Sequence, residues 1–236
     1  MDFVESVNDL KRLQYDSEKK LIQFDEIVPL EHNVPGIYSP ILVNLMLELG
    51  PQIEDVTNLI FEELELNSKK GIPSKINEIN RHDVLGSFRI LSTQHHATFS
   101  SFAEDVWWWK IYNSLKHELS KSQFNVDYHS VVHTAAALAA LHRLADVLVL
   151  MIENLDERSQ QEYKGYLLKK ENWRVISSGP NSPADGWISW DNRGITGGPN
   201  VWRSKLFEIS NYFIYESNIV LKSFREKDPQ SEKPAS

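Results

Sequence analysis

Residues 131–152 read VVHTAAALAALHRLADVLVLMI. As a helix this run makes about six turns and is apolar on nearly every side, the pattern of a helix buried all round. Alanines at 135, 136, 137, 139 and 140 let neighbouring helices approach closely. His142, Arg143 and Asp146 interrupt the stretch, so it reads as a buried core helix and not as a membrane span. The helix is expected from about Asp127 to Leu155, at the centre of the fold.

Working backwards, a short loop near Ser122–Val126 precedes it, and a second helix is expected over about Glu104–Lys121. Two helices joined by so short a loop form an antiparallel hairpin. Working forwards, a helix is expected over Asp156–Lys170. Upstream, Ser39-Pro40 opens a further helix: serine caps the free amides and proline suits the first helical position. Leu42, Leu45, Met46, Leu49, Ile53, Val56, Ile60 and Leu64 then recur at three-to-four spacing and form one core-facing stripe. Pro51 lies inside this helix and should kink it, but the stripe keeps its phase, so one bent helix is expected. Lys69-Lys70-Gly71-Ile72-Pro73 breaks the chain, and Ser74 can cap a helix running to Leu85. Residues 88–102 read as extended or irregular.

Both ends differ in texture. Residues 1–38 read as an N-terminal extension, with a short helix over Phe3–Leu13, an extended segment over Lys20–Pro29 and a turn at Pro35-Gly36. Glycines, prolines and the tryptophans at 187, 190 and 202 crowd the stretch after Trp173. Residues 173–224 therefore read as a loop-rich or small β appendage on a bundle of residues 39–172, with Phe207–Phe224 a last helix or strand. The polar tail 225–236 reads as disordered. The fold class is mainly α: a helical bundle with a kinked long helix, an antiparallel hairpin and this C-terminal appendage.

The 236-residue chain has a 41% hydrophobic and 25% charged composition, which suits a globular domain. It contains no cysteine, which excludes disulfides, thiolate metal sites and thiol nucleophiles and fits a reducing, cytoplasmic address. The N-terminus has no apolar core of the kind a signal peptide needs. A net charge of −8 does not attract nucleic acid over the whole surface, so any such role needs a local cationic site.

Residues 107–118, WWWKIYNSLKHE, supply that candidate. On a helix Trp107, Trp108 and Trp109 point three ways, so at least one is expected outside the core. Trp109, Asn113 and Lys116 or His117 lie on adjoining turns. That brings together an amide, an ammonium that stabilises phosphate charge and an imidazole that moves protons near neutral pH.

This string resembles the Trp-Trp-x-x-Tyr-Asn-x-x-Lys-His segment of prokaryotic HEPN-like helical proteins. HSVVHTAAALAALHRLADVL at 129–148 is similar to the alanine-rich helix that follows it there, and YSPILVNLMLELGPQIEDV at 38–56 to their upstream helix. The resemblance covers about a third of the chain. It implies a helical-bundle core, often dimeric, and many HEPN proteins are metal-independent ribonucleases of toxin–antitoxin and phage-defence systems. Others are non-catalytic and bind nucleotides or protein partners. Their motif runs arginine, a polar residue, then histidine. Asn113 matches the polar position and His117 the histidine, while Tyr112 stands where the arginine would be. Lys116 is the candidate replacement cation. The implied catalytic set is His117, Lys116 and Asn113, flanked by Trp109, Tyr112 and Glu118 as binding residues. RNA or a nucleotide, a second copy and an antitoxin are the implied partners. No cofactor and no membrane are expected.

Two further readings compete. His129 and His133 sit at i, i+4, a spacing that can hold zinc, with a third ligand from His117, Glu118, His95 or His96, which would suit a metal-dependent hydrolase. The same fold can also serve as a plain interaction or structural module. His82-Asp83 lacks the partners of a phosphohydrolase site, the glycine-rich segment 194–200 lacks a phosphate loop's lysine, and no serine-hydrolase elbow is present.

Overall fold

The structure is a computed structural model that describes residues 2–27, 37–66, 71–81, 89–92, 98–99, 102, 106–167 and 206–210. These form a mainly helical bundle, as the apolar periodicity predicts. The first element, α1, spans Phe3–Asp25, α2 Pro40–Glu63 and α3 Ile72–Arg81. After the short strands β1 (Arg89–Ser92) and β2 (Thr98–Phe99) come α4 (Trp107–His117) and α5 (Leu119–Ser122). A 3-10 turn at Gln123–Asn125 leads to α6 (Tyr128–Asn154), then α7 (Glu157–Leu167) and β3 (Phe207–Ser210).

The apolar helix α6 is the core of the bundle. Val131, Val132, Leu138, Leu141, Leu144, Leu148 and Met151 are all buried, and it packs on α1, α2 and α4. It is long and apolar enough to cross a membrane by length and composition, and its surface is instead spent on these neighbours. Asp127 starts it with a reciprocal capping box: its carboxylate accepts from Ser130 N at 2.8 Å, and Ser130 Oγ accepts from Asp127 N at 3.1 Å. Ser39 caps α2 as expected, accepting from Ile41 N at 3.2 Å. That helix runs unbroken through Pro51. Beside the proline, Gln52 Nε2 donates to the Glu48 carbonyl at 2.9 Å and to Ser17 Oγ of α1 at 3.0 Å.

The N-terminal segment differs from expectation. Residues 20–25, expected to be extended, complete a continuous 23-residue helix α1 that belongs to the bundle. Its inner face carries many polar groups, which hid it from a periodicity reading. Lys11, Gln14, Ser17, Glu18 and Asp25 are buried there beside Val7, Leu10, Leu21 and Phe24. Their partners are specific: Lys11 pairs with Asp146 of α6, Gln14 donates to Glu18, and Tyr128 donates to Asp25 at 2.8 Å. Together with Lys20–Glu48, these pairs make α1 antiparallel to both α2 and α6.

The expected hairpin is also corrected. Its first helix is shorter than Glu104–Lys121: α4 ends at His117, and Glu118 adopts non-helical angles (φ −136°, ψ 54°) before α5. Tyr128 N donates to Ile37 O at 3.0 Å and Thr134 meets Met46, so α2 and α6 start together and run the same way. Trp107, at the start of α4, stacks on His129 near the start of α6, and Tyr112 lies on Gly50. The helix α4 therefore runs alongside α2 and α6 in their own sense, and residues 118–127 carry the chain back.

Two elements shift from their expected bounds. The third helix begins at Ile72, not at Ser74, with Pro73 in its first turn. Asp156 caps α7 by accepting from Ser159 N at 2.7 Å. The ambiguous stretch 88–102 contributes β1 and β2, and the antiparallel sheet order is β2-β1-β3, with Ile90 opposite Phe99 and Ile209. Phe207–Phe224 begins as the strand β3, and buried Leu206 and Phe207 anchor this part of the appendage. Most of 173–224, the tail, His82-Asp83, His95, His96 and the glycine-rich 194–200 segment lie outside the described residues.

Candidate functional site

The two faces of α4 separate the residues of the WWWKIYNSLKHE string. Trp108, Trp109, Tyr112 and Leu115 are buried; Lys110, Asn113, Ser114, Lys116 and His117 are exposed. Helical rotation of about 100° per residue makes this division unavoidable once Trp108 is in the core. Trp107 lies at the margin, half-buried.

Tyr112, at the position the resemblance assigns to arginine, is held in place by α2. An added Cβ on Gly50 would overlap its ring. The Tyr112 hydroxyl donates to Glu54 Oε1 at 3.1 Å, and Trp109 packs on the ring with centroids 5.0 Å apart. Burial, then the Glu54 charge, pushes the phenol above its ordinary pKa, so it remains a neutral donor. Lys116 donates to the same Glu54 oxygen at 2.8 Å and lies 5.7 Å from the Tyr112 ring centroid. The Glu54 hydrogen bond holds the ammonium above its ordinary pKa. Asp55, beside it, is pushed up by burial and then by the Glu54 charge.

Asn113 and His117 share the exposed side of α4 at i, i+4, with Lys110 one turn earlier. Glu118 is exposed at the break and faces Lys121 at 3.5 Å. The amide, ammonium and imidazole are thus on one accessible side, as the spacing predicts. Trp109 and Tyr112 are the buried support beneath them.

A second constellation gathers at the start of α6. The Trp107 indole stacks on the His129 imidazole with centroids 5.3 Å apart and planes 14° apart. His133 lies 5.3 Å from Trp107 and 4.3 Å from His129. Burial, then the nearby His129, lowers His133 to a pKa of about 4, against a smaller opposing effect of Asp127. Neither His117 nor Glu118 joins this pair. Among the described residues no group of three or more potential metal ligands forms.

Sequence reasoning missed Glu54 and Gly50, although both lie in the α2 segment 38–56 that carries the resemblance. The signal was Leu-Gly-Pro inside a helix: a glycine there, costly in propensity, marks a close approach. The Lys11–Asp146 pair was also missed, because its two halves are far apart in the chain. Beside it His142 is fully buried and held at a pKa of about 3 by burial and then by the Lys11 charge. A groove of about 340 Å³ between α1 and α2, lined by Phe24, Ile27, Ile41 and Leu45 with Lys20 and Glu48, has no wall from α4.

Comparison with protein-family models, with curated proteins and with solved structures finds no match for this chain.

Proposed function

We propose that the chain is a HEPN-like protein whose α4 face contacts RNA and cuts it without a metal ion. The observation that carries the reading is the shared exposure of Asn113 and His117 on a helix whose other face is locked into the core. His117 accepts the proton of a ribose 2′-hydroxyl as its oxygen attacks the adjacent phosphorus. Asn113 donates to a phosphate oxygen. The departing 5′-oxygen takes its proton from the His117 of a second copy, so the active form is a dimer. Lys110 and Lys116 supply local cationic charge on an otherwise acidic protein. A cytoplasmic toxin–antitoxin or phage-defence role follows from the same resemblance.

A specific observation favours a second reading. Tyr112 is buried and Lys116 is already paired with Glu54, so neither replaces the motif's arginine without rearrangement. On that reading the fold is a non-catalytic interaction module. RNA cleavage by chelator-treated protein, wild type against His117→Ala, separates the two.

A further inference from the structure

His129 and His133 stand on one face of α6, one turn apart, at the capped start of the helix. Both are half-buried, held by packing against Trp107 and against each other, and His133 Nδ1 is turned inward. Trp107 covers one side of the pair, stacked on His129 and tilted on His133. The two ring centroids are 4.3 Å apart. Imidazole nitrogens at about 2.1 Å from a tetrahedral zinc ion place their ring centroids about 5 Å apart. The rings now stand edge to face, 61° apart, so an ion binds both only after they part by about 1 Å and turn.

We propose that His129 and His133 form a two-imidazole site for a divalent transition ion of the zinc type, flanked by Trp107. Imidazole nitrogen is a preferred donor for such ions. Asp127 is close, but its carboxylate is engaged by the Ser130 amide. With two protein donors the ion keeps its other positions open to water or to an anionic ligand. The site shares no residue with the RNA-contacting face and stands independently of that reading.

Zinc chloride titrated calorimetrically into chelator-treated full-length protein tests the site, with His129→Gln and His133→Gln alongside. One ion per chain is expected, and each variant should weaken binding at least about tenfold. Copper(II) added to the wild type should quench tryptophan fluorescence, and Trp107→Phe should remove much of that quenching while leaving zinc binding in place. Far-UV circular dichroism checks that the variants fold; His129→Gln, at the more accessible ring, keeps the test decisive if His133→Gln does not. Zinc uptake well below one ion per chain, or equal affinity in wild type and His129→Gln, would overturn the proposal.

Discussion

The ring of Tyr112 lies directly on the backbone of Gly50, so closely that no side chain can be added there without moving one helix away from the other. This contact sets the height of α4 against α2 and so places Glu54 under Lys116. Alanine at Gly50 would improve helix propensity by about 1 kcal/mol, but overpacking a filled contact costs about 1–3 kcal/mol. Gly50→Ala is expected to lower stability on balance, and Gly50→Val more so. Urea unfolding measures it; an unchanged or higher midpoint for both variants would show that the contact is loose.

Glu54 competes with any phosphate for Lys116. Glu54→Gln removes the carboxylate charge and leaves a hydrogen-bonding group in place. Affinity for a single-stranded RNA oligonucleotide should rise, and the dependence on log salt should steepen by about 0.7 per ammonium released. Fluorescence anisotropy at several salt concentrations reads both. Unchanged affinity would remove Lys116 from the binding face.

The Lys11–Asp146 pair is buried on both sides, with Arg143 3.6 Å from the second Asp146 oxygen. Removing one partner strands a charge in the interior, at a cost of about 3–5 kcal/mol. Asp146→Leu and Lys11→Met should each lose on that order, and Lys11→Met/Asp146→Leu markedly less than their sum. A double-mutant cycle by denaturant unfolding decides it, and strict additivity would deny the coupling.

His133 and His142 are held neutral, at pKa values of about 4 and about 3. The unfolded chain takes up protons at both near the ordinary histidine pKa of about 6.5. Between pH 6.5 and 4 the unfolded state binds more protons, so stability falls as pH drops through that window. Each histidine contributes a slope approaching about 1.4 kcal/mol per pH unit. His142→Gln should flatten the profile by about one proton, and an unaltered slope would show that His142 is accessible in the folded state.

Much of this fold was legible because its signals are local. The apolar run of α6 and the Ser39-Pro40 start of α2 each announce themselves within a few residues. The helix α1 was not legible past residue 13. Its buried face is built from Lys11, Gln14, Ser17, Glu18 and Asp25, whose burial depends on partners as distant as Asp146 and Tyr128. The direction of α4 was misread for a similar reason. A short connection suggests a hairpin, but residues 118–127, through α5 and the 3-10 turn, carry the chain back along the bundle. On α4 itself Asn113, Lys116 and His117 share the exposed side, while Trp109, which spacing grouped with them, is buried, and Glu54 depended on a contact between helices.

The most direct test of the central claim is cleavage of a single-stranded RNA by purified, chelator-treated protein, with His117→Ala and Asn113→Ala in parallel. Cutting is expected to persist in EDTA, to be lost with His117→Ala and to fall about a hundredfold or more with Asn113→Ala. No cutting by the folded wild-type protein, or cutting that His117→Ala leaves intact, would contradict it.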